Sequence, residues 1–221
     1  MRENFENKKI RAQKIYGLLH NNYLDVPELF LDYITDAQML CAIILSAQST
    51  DAQVNRVTSK LFKKYKTVSD FAHADRKQFE KEIFSTGFYK SKTKKVISCF
   101  QKVIREHKGK IPETMSALIE LPGVGRKTAN LYLVSKGIID GIAVDTHVGR
   151  LSQRFGFSVY KDANKIEQDL MLLYPKTKWH KVNGLFISHG RTICTARKPN
   201  CNKCFLNKVK LCPKIGVVLS K

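Results

Sequence analysis

Three sets of residues in this chain could do chemistry. Lys127 follows a glycine-hinged turn, Pro122-Gly123-Val124-Gly125-Arg126, and a carboxylate stands further on in Asp145-Thr146-His147. A lysine that sheds its proton is a nucleophile for an electron-poor carbon, and a fixed carboxylate can stabilise a developing cation or carry a proton. The third set is Cys194, Cys201, Cys204 and Cys212, with x6, x2 and x7 between successive thiols and Pro213 after the last. Clustered thiols at such spacing bind metal.

These residues need elements to hold them. Pro112-Glu113-Thr114 is expected to open a helix through Ile119, with proline in the first turn and the acid near the positive end of the dipole. The turn at Leu121–Gly125 follows, and a second helix is expected from Arg126 to about Ser135, stopped by Gly137. In that second helix Lys127 occupies the first turn, where the dipole and neighbouring Arg126 both disfavour an ammonium. The plainer reading is a surface lysine that helps the turn's amides hold a phosphate. Such a hairpin suits DNA binding that ignores sequence, with Gly123, Gly125 and Arg126 as its contacts. Asp145 comes after the apolar stretch Ile142-Ala143-Val144 and reads as a helix N-cap, which would also fix its carboxylate. His147 fits a packed or phosphate-contacting role better than that of a general base.

Composition sets the partner class. The 221 residues include 39 Lys and Arg against 19 Asp and Glu, a net charge of +20. A polyanion is the simplest partner, because cations that neutralise phosphates release condensed counterions. Nucleic acid fits this best, although an acidic membrane would also satisfy the charge. No apolar run reaches the roughly 20 residues of a membrane span. The start, MRENFENKKIRAQK, has no apolar segment of a secretory signal, so a reducing compartment is expected.

Apolar residues recur at helical spacing along most of the chain: Leu40, Ile43, Ile44 and Ala47; Ala129, Tyr132 and Leu133; Leu170, Leu173 and Tyr174; Val182, Leu185 and Phe186. Alternating strand patterns are nearly absent, so the fold class is all-α, with about ten helices. Within those patterns Cys41 and Cys99 read as buried structural thiols. Zinc and a 4Fe–4S cluster both accept four thiolates. A paired zinc ribbon carries two CxxC knuckles, and only Cys201 and Cys204 form one here, which favours the cluster. Arg197 and Lys198 lie between the first two thiols, in a basic loop suited to phosphate contact.

Taken together, these motifs resemble the endonuclease III family of DNA glycosylase/AP lyases, in the helix-hairpin-helix glycosylase superfamily. The resemblance runs through Ile44-Leu45-Ser46-Ala47-Gln48-Ser49-Thr50-Asp51, Gly87-Phe88-Tyr89, Leu121 to Asn130, Ala143 to His147, His189-Gly190-Arg191 and the four cysteines. It implies a six-helix barrel over 26–137, with the helix-hairpin-helix at about 113–136. A second, discontinuous helical domain, 1–25 plus 138–221, would carry the cluster in the loop 194–212, and the active site would lie in the cleft between the domains. By the same resemblance Lys127 attacks C1′ of a damaged nucleotide in double-stranded DNA and Asp145 assists. Gln48 would fill the space left by the extruded base and Phe88 would wedge into the stack. The implied protein is a monomeric, cytoplasmic, bacterial-type enzyme that removes oxidised pyrimidines and nicks 3′ to the lesion by β-elimination.

The chain departs from the family pattern at three points. The last cysteine spacing is x7 where x5 is usual, Phe88 stands where leucine is usual, and Ile119 replaces an acid beside Glu120. The related branch that removes mispaired adenine carries serine at the Lys127 position, and Lys127 argues against it. Two competing readings are a DNA-binding protein without catalysis, and a glycosylase directed at oxidised guanine or mismatched thymine.

Overall fold

The computed structural model describes residues 3–217. Among these the regular structure is entirely helical, twelve α-helices and two short 3₁₀ turns, slightly more elements than the periodicity predicts. The chain divides into two compact units, Met1–Glu28 with Ile139–Lys221, and Leu29–Ile138.

Local chemistry sets most helix starts. Asn4, Thr35, Thr50, Thr67, Asp75, Thr114, Asp145 and Asp162 each cap a helix, with the side-chain oxygen accepting from an amide in the first turn. Thr114 moves one expected boundary. Its hydroxyl accepts from Ala117 N at 3.4 Å, so the helix is Met115–Ile119 and Pro112 lies ahead of the cap rather than in the first turn.

In the Leu29–Ile138 unit, α2 (Asp36–Leu45) is buried from Ala37 to Leu45. A helix that is apolar on every side must run through a core. The capping-box residue Gln38 is 1 % exposed, and its amide donates to Phe62 O and Tyr65 O at 3.0 Å each while its carbonyl accepts from Ile34 N and Thr35 N. That full set of partners removes the penalty of burying it. Ala47, in phase with the apolar stripe, lies beyond the helix end and is exposed. Around α2 stand α3 (Asp51–Lys64), α4 (Val68–Ala72), α5 (Arg76–Glu82), α6 (Tyr89–His107), α7 (Met115–Ile119) and α8 (Arg126–Ser135). Phe71 stacks on Phe100 at 4.8 Å and meets Tyr65 at 5.5 Å, which locks α4 to α6.

The other unit contains α1 (Phe5–Asn22), α9 (Thr146–Arg154), α10 (Ala163–Leu173), α11 (Trp179–Thr192) and α12 (Phe205–Lys208). Ile15, Leu19, Val148, Leu151, Leu170, Val182, Leu185 and Phe186 form its core. Gly184 lets α11 approach the chain at 26–27: a Cβ there would sit 2.4 Å from Val26 Cγ1 and 2.9 Å from Pro27 O.

Candidate active site and cysteine centre

Lys127 lies in the first turn of α8 with its side chain exposed. The turn before it is built on apolar residues: Leu118, Leu121 and Val124 are buried, and Val124 N donates to Leu121 O at 3.0 Å. Gly123 has φ +82°, and a Cβ there would lie 2.9 Å from Lys95 Cβ. Only glycine meets both conditions without strain. Gly125 is the N-cap of α8 and brings no side chain to it, so the first turn has no side-chain cap. An uncapped helix start on an exposed turn is suited to a phosphate. Arg126 is exposed beside it.

Two other loops of the same unit hold residues in conformations that local sequence disfavours. Gln48, between α2 and α3, is exposed with φ +54°. Phe88 caps α6 with φ +48°, is 67 % exposed, and follows Gly87 at φ +70° and ψ 157°. Left-handed backbone at a bulky residue costs on the order of 1–3 kcal/mol and persists where surrounding contacts impose it. Those contacts come from the loop ends. Ser49 Oγ donates to Thr86 O, and Lys92 Nζ donates to Ser49 Oγ at 2.9 Å and to Thr86 O at 2.7 Å.

In the other unit Asp145 does cap α9, its Oδ1 accepting from Val148 N at 2.8 Å. Half-buried behind the buried Ile142–Val144 stretch, the carboxylate is held in one orientation. His147 follows in the same helix, and Arg150 Nη2 lies 3.1 Å from its Nδ1. Arg150 also donates to Gly190 O and Cys194 O, joining α9 to the end of α11. Gly190 makes that possible, since a Cβ there would meet His147 Nδ1 at 2.7 Å and Arg150 Nη2 at 2.8 Å.

All four cysteines line one cavity, with Arg154, Phe155, His189, Asn200, Asn207 and Lys214 among its other walls. Arg154 is buried and donates to Cys194 O, Cys194 Sγ, Thr195 O and Ala196 O, so the loop carrying exposed Arg197 and Lys198 is pinned from beneath. His189 is fully buried, its Nε2 3.6 Å from Cys204 Sγ and its Nδ1 3.1 Å from Tyr23 Oη, and burial lowers its pKa to about 4. Burial also raises the Cys204 thiol and pushes Cys212 up to about 11. Among the described residues no group of three or more His, Cys, Asp or Glu is arranged to hold a metal ion. Cys41 and Cys99, by contrast, are buried in the core of the Leu29–Ile138 unit as their apolar settings predict.

Sequence reading missed Lys92, Arg150 and Arg154. Lys92 sits in a basic run with Lys90, Lys94 and Lys95, which reads as a solvated face. Its helical phase with Val96, Cys99 and Val103 on the buried face of α6 is the signal that marks it as internal.

Comparison with known proteins identifies the family of the chain. Residues 41–176 match the family described as HhH-GPD superfamily base excision DNA repair protein. Endonuclease III of Synechocystis sp. is 45 % identical over 94 % of both chains, and that of Escherichia coli K12 is 34 % identical over 90 % of this chain and 94 % of its own. A structure of a trapped endonuclease III–DNA covalent intermediate superposes with a TM-score of 0.88 at 35 % identity, covering 93 % of this chain and 96 % of the other. No helix among the described residues is long and apolar enough to cross a membrane. With its glycine-hinged lysine, capping aspartate and four-cysteine loop, the chain belongs to the endonuclease III family of the HhH-GPD superfamily and is a base excision repair enzyme, a DNA glycosylase and lyase.

Proposed function

We propose that this enzyme is bifunctional, removing oxidised pyrimidines of the thymine glycol type from double-stranded DNA and then cutting the abasic strand. The observation that carries the reading is an exposed lysine in the first turn of α8, directly behind an uncapped glycine turn. The turn takes a backbone phosphate, with Gly123, Gly125 and Arg126 as its contacts, and the reacting sugar is thereby brought to the amine. Net charge of +20 supplies the long-range attraction, with His147, Arg197 and Lys198 as further phosphate contacts. The chain binds DNA as a monomer.

Extrusion of the damaged nucleotide costs on the order of a few kcal/mol in lost stacking, least at damaged pairs. Gln48 occupies the vacated space and Phe88 wedges into the stack. The Lys127 amine then attacks C1′, forming the C1′–N bond as the bond to the base breaks; the base leaves with the electron pair and takes up a proton. The cap-fixed carboxylate of Asp145 stabilises the positive charge that grows on the sugar and helps transfer the amine proton. Ring opening gives an imine. Loss of a C2′ proton then expels the 3′ phosphate by β-elimination, and hydrolysis of the imine frees Lys127.

Cys194, Cys201, Cys204 and Cys212 would hold a 4Fe–4S cluster. All four thiols line one cavity, and the single CxxC knuckle of Cys201 and Cys204 favours the cluster over a paired zinc ribbon. Coordination would take the four as thiolates, against the burial that raises the Cys204 and Cys212 thiols. So held, the cluster would serve as a structural core beneath the loop of Arg197 and Lys198.

Borohydride trapping tests the reading on duplexes carrying thymine glycol, an abasic site or 8-oxoguanine. An adduct is expected with the first two, and Lys127→Gln abolishes it while duplex binding persists. Asp145→Asn slows base release by about 10²–10³-fold. An absence of adduct on every substrate overturns the lyase assignment, and an adduct with 8-oxoguanine but not thymine glycol overturns the lesion class. Iron and sulfide analysis, with visible absorbance that bleaches on oxidation, distinguishes the cluster from zinc.

A further inference from the structure

Lys92 is a buried ammonium with no carboxylate partner among its hydrogen bonds. It is 3 % exposed, on the inner face of α6 in line with Val96, Cys99 and Val103. Its two hydrogen bonds do not serve the core. One goes to Ser49 Oγ, next to Gln48, and the other to Thr86 O, two residues before Phe88. Ser49 Oγ itself donates to Thr86 O, closing a triangle, and Gln53 Nε2 donates to Ser85 Oγ at 2.8 Å just outside it. The loop after α2 and the loop before α6 are thereby joined at the two points from which Gln48 and Phe88 project, both in left-handed backbone.

Burying a lysine is expensive, and a methionine of similar length would fill an apolar site at lower cost. Burial depresses the Lys92 pKa to about 8, in keeping with that cost. Ser49 would still donate to Thr86 O without Lys92, so the ammonium adds little to polar satisfaction of the loops. What it adds is rigidity between them.

We propose that Lys92 is a positioning residue for base extrusion: by tying Ser49 to Thr86 it fixes Gln48 and Phe88 at a set separation, so that plug and wedge enter the duplex as one rigid pair. This rests on the plug and wedge roles given above to Gln48 and Phe88. A loose pair would still bind DNA and still present Lys127. It would fail to hold the open stack long enough for attack, a defect that disappears when no partner base has to be held in place.

The test uses single-turnover excision of a thymine glycol from two duplexes, one fully paired and one with the lesion opposite a missing nucleoside. Lys92→Met is expected to slow excision from the paired duplex about tenfold and to stay within about twofold of wild type on the other, since a misplacement near 1 Å can cost up to about a hundredfold. Ser49→Ala, which removes the bridging hydroxyl without touching the core, shifts the same ratio in the same direction, and the double variant is no worse than Lys92→Met alone. Equal slowing on both duplexes, or none on the paired one, overturns the proposal; if Lys92→Met does not fold, the Ser49→Ala ratio decides. Gln48→Ala and Phe88→Ala are measured alongside. If both leave the paired duplex unaffected, the plug and wedge roles fall and the clamp with them; if both slow it while Lys92→Met does not, only the clamp falls.

Discussion

In the Leu29–Ile138 unit one buried cation, Lys92, joins two loops with a single bond to each. In the other unit Arg154 directs four donor contacts into the one stretch 194–196, and Arg150 adds contacts to Cys194 O and Gly190 O. Both arrangements place a cation beneath irregular backbone and direct its donors at that backbone's carbonyls. They differ in redundancy. The cysteine loop is anchored many times over, as suits a scaffold that must not move. The two loops of the first unit meet through the Ser49–Thr86 bond, with the Gln53–Ser85 bond just outside it. Lys92 is the one buried cation that braces that contact, so its removal changes their relative position more than it changes the stability of the fold.

Arg154→Met should therefore be the most damaging change to stability. It strips the donor from the Thr195 and Ala196 carbonyls and leaves Cys194 O to Arg150 alone, and loss of a buried, multiply bonded cation costs about 3–5 kcal/mol in urea unfolding. Lys92→Met should stay within about 1 kcal/mol of wild type, because Ser49 still satisfies Thr86 O. Equal losses in the two variants would break the comparison. Gly190→Ala sharpens it: the new Cβ displaces His147 and Arg150 but leaves Arg154 in place, with an expected cost of about 1–3 kcal/mol. A loss matching that of Arg154→Met would mean that the two arginines act as one unit rather than as independent anchors.

The same contrast explains what the sequence makes legible. Asp145 is readable because a cap lies next to the helix it starts, and the Gly-Val-Gly hinge because its strain falls on glycine. The positive φ at Gln48 and Phe88 leaves no local trace, since neither residue favours that backbone and the contacts imposing it come from positions 86 and 92. Arg154 is the last residue of a polar-looking helix, and its partners lie some 40 positions away. Pro112 misled in the opposite direction: a common first-turn residue stands just outside a helix that Thr114 begins. Signals that act within a turn or two can be read, and anchors that bridge distant segments cannot.

The smallest expected effect separates the charge of Lys92 from its geometry. Burial lowers its pKa in the folded protein from about 10.5 to about 8. Below pH 8 both folded and unfolded chains hold the proton, and the folded state carries the full cost of the buried charge. Between about 8 and 10.5 the unfolded chain binds more protons, so stability rises with pH across that window. Lys92→Met lacks this term, and the stability of wild type relative to the variant should climb from pH 8 to 10.5 and be flat below 8. His189, with its pKa lowered to about 4, acts in a lower window and is common to both proteins, so it cancels. A neutral lysine amine still has two N–H donors, enough for Ser49 Oγ and Thr86 O. The wild-type ratio of excision from the paired duplex to excision opposite the missing nucleoside should therefore stay constant as stability climbs. If that ratio falls toward the Lys92→Met value above pH 8, the charge itself, and not the tie between the loops, is what holds Gln48 and Phe88 in register.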